Sequence, residues 1–123
     1  MVRIIKLVKR GPLLAAATVV FCLGITWAHA ILVASIPGAN AIVDGPSIDI
    51  TLKFNVRVDT KRSSIRLLSA DRGARSVAVL PGKASNVILA RAVDLGPGKY
   101  KLSWQVLASD GHITRGEIPF SVR

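Results

Sequence analysis

From residue 31 onward the chain consists of short runs in which apolar and polar residues alternate, separated by turn-forming residues. In Ser47–Asn55 isoleucine, leucine and phenylalanine alternate with polar side chains. A period of two places successive side chains on opposite faces of a strand, so one face can be buried. The sequence therefore predicts a chain of strands without helices after residue 30. The predicted strands are Ile31–Ser35, Ser47–Asn55, Ser64–Ser69, Ser76–Leu80, Val87–Arg91, Lys99–Leu107 and Ile113–Val122.

Seven short strands at this spacing are typical of a β-sandwich or barrel. Tyr100 follows a Gly-Pro-Gly turn at the start of the penultimate strand. This position fits a tyrosine corner, in which the hydroxyl hydrogen-bonds to the upstream backbone, and it also fits a plain turn followed by a strand tyrosine. Taken together, the pattern predicts an all-β, immunoglobulin-like Greek-key sandwich of about seven strands.

The first 30 residues have a different pattern. Four of the 17 lysines and arginines precede residue 11, and the first acidic residue is Asp44. The uncharged segment Leu13–Ile25 is shorter than the roughly 20 residues that span a bilayer as a helix. Together with the small residues up to Ala30, this order is typical of a secretory signal peptide. The alternative is an uncleaved N-terminal anchor.

Two cleavage positions compete, one after Ala28 and one after Ala30, and the small-residue rule alone slightly favours the second. Cleavage after Ala28 would make His29 the first residue. It would divide the chain into a signal peptide over 1–28 and one domain over 29–123. Either cut removes Met1 and Cys22, which are the only sulfur-containing residues. A soft Cu(I) site of Cys or Met ligands is therefore excluded from the mature chain.

Strand order predicts which chemical groups meet. In a strictly alternating seven-strand sandwich, the start of the first strand and the turn between the last two strands lie at the same end. His29 should therefore lie beside Asp110 and His112. His29 and His112 are the only two histidines in the chain. The alternative is that Asp110-Gly111 is an ordinary turn and His112 a solvated surface residue.

These three residues offer a donor set with a clear preference. A terminal histidine can grip one ion through its α-amine and its ring at once, while His112 adds a nitrogen and Asp110 an oxygen. Nitrogen and oxygen donors in a plane suit the tetragonal geometry of Cu(II). Because the nitrogens must be unprotonated to bind, we expect the affinity to fall below about pH 7. The sequence thus predicts one Cu(II) ion per chain.

Three segments of the chain resemble the CopC family of periplasmic copper-binding, copper-resistance proteins. They are His29-Ala30-Ile31-Leu32 followed by Pro37, the strand Gly98–Trp104, and Ser109-Asp110-Gly111-His112 with the segment that follows it. The resemblance covers residues 29–123. It implies that His29 with its amine, Asp110 and His112 hold Cu(II). The position of the family histidine, three residues before the leucine, supports cleavage after Ala28.

The resemblance also implies a role. We expect an exported, periplasmic monomer that sequesters or carries Cu(II) for copper resistance or homeostasis and passes it to a CopD-like membrane protein. Many family members carry a Met-rich Cu(I) loop, whereas this chain has no methionine after Met1 and is expected to be a Cu(II)-only form. Where the family often has Phe-Ser-Glu, this chain has Phe54-Asn55-Val56, so any role of that glutamate is absent or altered.

Other functional classes fit less well. No nucleophile–base pair is evident, so we expect no enzymatic activity. The rival hypotheses are a copper-dependent monooxygenase with an N-terminal histidine and an interaction module without a metal. Arg57, Lys61 and Arg62 are predicted to lie between the second and third strands, either as a docking patch for an anionic partner or membrane surface or as an ordinary solvated loop. Nucleic-acid binding is not expected, since no aromatic and basic platform is visible.

Overall fold

The computed structural model describes residues 29–123, so the predicted signal peptide lies outside the described residues. Nine strands and no helix form within this range, and consequently no helix there has the length and apolar character of a membrane span. The strands are β1 (Leu32–Ile36), β2 (Ala41–Val43), β3 (Ile48–Phe54), β4 (Val58–Ser69), β5 (Gly73–Val77), β6 (Val79–Pro81), β7 (Val87–Ala92), β8 (Gly98–Ala108) and β9 (Ile113–Val122).

The strands form two sheets. The four-stranded sheet has the order β1-β3-β7-β6, and the five-stranded sheet has the order β2-β9-β8-β4-β5. All pairs are antiparallel except β2–β9, which is parallel. The prediction of an all-β sandwich is confirmed. The β8–β9 hairpin is paired without interruption from Gly98–Val122 to Leu107–Ile113, so its turn projects from one end of the sandwich.

The core lies between the two sheets and is built by the predicted alternation. In β3 the buried positions are every second residue, and Leu52 and Phe54 have no exposed surface. Trp104 of the opposite sheet packs edge-to-face on Phe54, with ring centroids 5.2 Å apart. Among the described residues no polar or charged residue is buried, so hydrophobic burial is the main stabilising contribution. Trp104 is therefore a core residue, as the strand pattern predicted.

Tyr100 forms the predicted tyrosine corner. Its hydroxyl donates a hydrogen bond to the carbonyl oxygen of Gly96 at 2.7 Å. Its ring stacks on Phe120 of β9, with centroids 5.6 Å apart. This contact fixes the end of β8 that is remote from the β8–β9 turn.

The division of the chain into strands differs from the prediction at several points. The run Ser76–Leu80 is divided at Ala78, where the chain leaves the five-stranded sheet and β6 joins the four-stranded one. Val77 and Val79 both pack in the core, so the apolar pattern continues across a change of sheet and does not reveal it. The short strand β2 was not predicted, because three residues are too few to show alternation.

The basic residues lie partly in a strand and not in a loop. β4 begins at Val58, and its register with β8 shifts between Asp59 and Ser64. Within this irregular stretch the Asp59 carboxylate accepts the backbone N–H groups of Lys61 at 3.0 Å and Arg62 at 3.3 Å. Only Arg57 lies in the connection between β3 and β4. The predicted loop of three basic residues is therefore wrong for Lys61 and Arg62.

Candidate metal centre

The turn between β8 and β9 is closed by its own backbone. The N–H of Gly111 donates to the carbonyl of Ala108 at 2.9 Å, and the N–H of Ala108 donates to that of His112 at 2.8 Å. Gly111 has a φ of 89°, a conformation that glycine adopts without steric cost. The turn therefore brings Asp110 and His112 together on a short, internally bonded segment.

Asp110 and His112 also contact each other through their side chains. One carboxylate oxygen of Asp110 accepts the backbone N–H of His112 at 3.0 Å, and the other lies 3.1 Å from the Nδ1 of His112. The backbone hydrogen bond is the main reason that the pKa of Asp110 lies below its usual range. Desolvation is the next largest effect and opposes this shift, whereas the side chain of His112 and the nearby His29 lower the pKa further. Asp110 is thus held as an anion next to two imidazoles.

The start of the described chain is held against the end of β3. Ala30 is buried, with 1% of its surface exposed. The N–H of Ile31 donates to the side-chain oxygen of Asn55 at 2.6 Å, and the N–H of Asn55 donates back to the carbonyl of Ile31 at 3.0 Å. This places His29, one residue before Ala30, at the same end of the sandwich as the β8–β9 turn.

The structure brings the three predicted residues together. The imidazole centroids of His29 and His112 are 5.0 Å apart, with the rings inclined at 72°. One ligand atom from each of His29, Asp110 and His112 can be chosen so that all lie within 4.8 Å of one another. His29 is exposed, and the side chains of His112 and Asp110 keep 42% and 22% of their surface accessible. An ion can reach this group of atoms from solvent.

The connection between β3 and β4 contributes contacts that the sequence did not reveal. The carbonyl of Arg57 accepts the N–H of Ser109 at 3.0 Å, which ties the β8–β9 turn to this connection. Together with the bonds of Asn55 to Ile31, this contact joins both halves of the cluster. The only signal in the sequence was Phe54-Asn55-Val56, where this chain departs from the Phe-Ser-Glu of the family it resembles.

The donor set fits an ion that prefers nitrogen and oxygen. It consists of two imidazoles and one carboxylate, and the side chains of residues 29–123 include no sulfur. Imidazole and carboxylate ligands in a planar arrangement suit Cu(II) and Ni(II), and Cu(II) binds most tightly of the divalent first-row metals. The residues present therefore fit Cu(II).

Sequence comparison gives an independent view of the same region. A family model described as the CopC domain matches residues 32–123, a range that includes Asp110 and His112 and begins just after His29. Protein YobA of Escherichia coli K12 is 35% identical over 102 residues, which cover 79% of this chain and 81% of that protein. Copper resistance protein C of Xanthomonas campestris pv. juglandis is 30% identical over 107 residues, covering 79% and 82% respectively.

Solved structures with the same fold include a CopC protein and a copper resistance protein. The crystal structure of CopC from Methylosinus trichosporium OB3b superposes with a TM-score of 0.70 at 30% identity, and the match covers 76% of this chain and 93% of that one. PcoC from Escherichia coli, described as a methionine-rich copper resistance protein, gives a TM-score of 0.64 at 28% identity, covering 78% of this chain and all of that one.

Proposed function

This chain belongs to the CopC domain family, and from that premise we propose that it binds one Cu(II) ion through His29, Asp110 and His112. The observation that carries the proposal is the convergence of one ligand atom from each residue to within 4.8 Å of the others. Two of these residues come from a hairpin turn and the third from the start of the described chain. The protein sequesters or carries the ion for copper resistance or homeostasis.

The oxidation state follows from the donors. Nitrogen and oxygen ligands favour Cu(II), whereas Cu(I) prefers thiolate and thioether sulfur. PcoC is described as methionine-rich, but the only methionine of this chain is Met1, within the predicted signal peptide. This protein is therefore a Cu(II)-only form of the family.

The exported location completes the proposal. Residues 1–28 direct secretion and are removed after Ala28, so that His29 gains a free α-amine as a further nitrogen ligand. The mature protein is a periplasmic monomer that releases its ion to a CopD-like membrane protein. It is a binding protein and not an enzyme, in line with relatives that are named copper resistance proteins. Asp110 also occupies a ligand position that oxygen activation would require to be open.

Intact-mass measurement of the secreted protein, with and without one equivalent of Cu(II), tests both parts of the proposal. We expect a mature form that begins at His29 and a mass increase of one copper ion. The variants His29→Ala and His112→Ala should each lower the Cu(II) affinity at least about tenfold. Mutation of residues that only hydrogen-bond to a metal ligand already costs about ten- to a hundredfold, and loss of a ligand itself should cost no less. Asp110→Asn should also lower the affinity. Its matched control is Asp71→Asn, which alters an aspartate in the turn before Gly73.

Two outcomes contradict the proposal. A mature form beginning at Ile31 lacks the terminal histidine and leaves too few ligands for a tight site. Copper binding at background level, unchanged by either histidine substitution, would instead support an interaction module that uses the same fold without a metal.

A further inference from the structure

The connection between β3 and β4, residues 55–57, contacts both halves of the proposed copper site. On one side Asn55 exchanges two hydrogen bonds with Ile31, one through its side-chain oxygen at 2.6 Å and one through its backbone N–H at 3.0 Å. On the other side the carbonyl of Arg57 accepts the N–H of Ser109 at 3.0 Å. One short segment therefore links the start of the domain to the β8–β9 turn.

The side chain of Asn55 adds something that the backbone alone does not. Any residue except proline at position 55 can donate its N–H to the carbonyl of Ile31, but only a side-chain acceptor also engages the N–H of Ile31. The two bonds together fix the orientation of the peptide groups on both sides of Ile31. Burial of the Ala30 methyl group holds this segment on the core, but hydrophobic contact is non-directional and does not set its rotation.

Orientation at this point decides where His29 lies, because His29 is two residues upstream and the segment ends there once the signal peptide is removed. Chain termini are poorly ordered unless they are tied down. A terminal chelate that is ordered before the metal arrives loses less conformational freedom on binding, which strengthens the affinity. The Asn55 bond is therefore placed where it affects both the geometry and the entropy of the His29 ligand.

We propose that Asn55 is a positioning residue for copper binding, whose side-chain oxygen holds the His29 segment over Asp110 and His112. The inference rests on the proposed function, since it assigns a role within the same site. Asn55 does not contact the ion and acts through the Ile31 backbone. Asn55 stands in the segment Phe54-Asn55-Val56, where the chain departs from the Phe-Ser-Glu of the family it resembles.

The test compares three variants of the mature full-length domain. Asn55→Ala removes the side-chain acceptor, and Asn55→Asp keeps it. Ser35→Ala removes the hydrogen bond from Ser35 to the Pro37 carbonyl at the far end of β1 and serves as the matched control. Cu(II) affinity is measured by competition with a chelator, the ligand set by electron paramagnetic resonance, and the order of Ile31 by amide hydrogen exchange in the metal-free protein.

We expect Asn55→Ala to lower the Cu(II) affinity about three- to tenfold, the value of one hydrogen bond, and to alter the copper spectrum. The amide of Ile31 should lose its exchange protection, and the melting temperature should fall by no more than about 4–8 °C, the shift that 1 kcal/mol produces in a domain of this size. Asn55→Asp should retain at least the wild-type affinity and the wild-type spectrum. Ser35→Ala should match the wild type in affinity and spectrum.

The outcomes separate this inference from the proposed function. If the wild type binds Cu(II) through His29 and Asn55→Ala binds equally well, the role of Asn55 is wrong and the copper function stands. If Asn55→Asp loses as much affinity as Asn55→Ala, the loss does not arise from the acceptor and the inference is again wrong. If the wild type does not bind Cu(II), both fail, whatever the exchange of Ile31 shows.

Discussion

The two halves of the proposed copper site are held in different ways. Asp110 and His112 belong to a turn whose hydrogen bonds link Ala108, Gly111 and His112 to one another, so this half forms whenever the hairpin forms. The His29 half has no such local closure. It depends on a bond between Ile31 and Asn55, which are 24 residues apart, and, in the proposed maturation, on cleavage after Ala28. The comparison indicates that the site has one preformed half and one half that folding and processing must add.

The largest loss of Cu(II) affinity should come from displacing the α-amine of His29, which becomes free on cleavage after Ala28. One glycine added before His29 keeps both imidazoles but removes the amine from its chelating position. Loss of one arm of a multidentate grip typically costs a hundredfold or more in affinity, so we expect a loss of about that size. Chelator competition measures it, and one glycine added after Arg123 is the control. An unchanged affinity would show that the site does not use the amine.

A smaller loss of Cu(II) affinity should come from straining the β8–β9 turn, which forms the preformed half of the site. Gly111→Ala places a side chain at a φ of 89°, where the added Cβ meets no atom within 4 Å, so the cost is conformational alone. Left-handed conformations cost a non-glycine residue about 1–2 kcal/mol, and we expect the free energy of unfolding to fall by that amount.

Gly73→Ala is the control for that strain. Gly73 has a φ of 68°, lies at the start of β5 and also has open space around its added Cβ. Denaturant unfolding should show similar losses of stability in both variants, and chelator competition should show weaker Cu(II) binding only for Gly111→Ala. Equal copper affinities would mean that the geometry of the β8–β9 turn does not control binding.

The smallest expected effect is that of Asp110 on the pH dependence of Cu(II) binding. The pKa of Asp110 lies below its usual range, mainly because the carboxylate accepts the backbone N–H of His112. The carboxylate is therefore charged from roughly pH 5 to 8, and its titration adds nothing to the pH dependence of binding there. Acidification should weaken binding because protons compete for the nitrogen ligands. Asp110→Asn should lower the affinity while leaving the slope of log affinity against pH unchanged.

The same lowered pKa has a consequence for the metal-free protein. A carboxylate with a lower pKa in the folded state stabilises the fold above the pKa of the unfolded chain, about 4 for aspartate. This contribution is lost as the pH falls through the folded-state pKa. Asp110→Asn should therefore show a shallower decline in stability below about pH 4 than the wild type in acid unfolding. An identical decline would show that Asp110 is not preferentially ionised in the folded state.

Much of the fold was predictable because each long strand has a strong local pattern. The last strand, Ile113–Val122, was predicted with the bounds that β9 has, and its second half alternates clearly, with Ile118, Phe120 and Val122 buried. The division of Ser76–Leu80 was not predictable from pattern, because both parts bury a valine while pairing with different partners. Sheet identity depends on long-range pairing, which a local period does not encode.

The site was predictable to the extent that it follows from strand order. The meeting of His29 with Asp110 and His112 follows from which ends of the strands coincide, and the structure places them together. Asn55 and Arg57 were not predicted as supports because their contacts use backbone groups of Ile31 and Ser109. Every residue except proline offers the same backbone donor and acceptor, so such contacts leave no signature in the sequence.

The accessibility of the ligands affects how an ion can leave. His29 is exposed, and the side chains of His112 and Asp110 keep 42% and 22% of their surface accessible, so an ion bound by these residues would keep one side open to the surroundings. A ligand atom of the receiving protein could approach from that side and bind the ion before the first bond between the ion and this chain breaks. Transfer by such stepwise ligand exchange would need no opening of the sandwich.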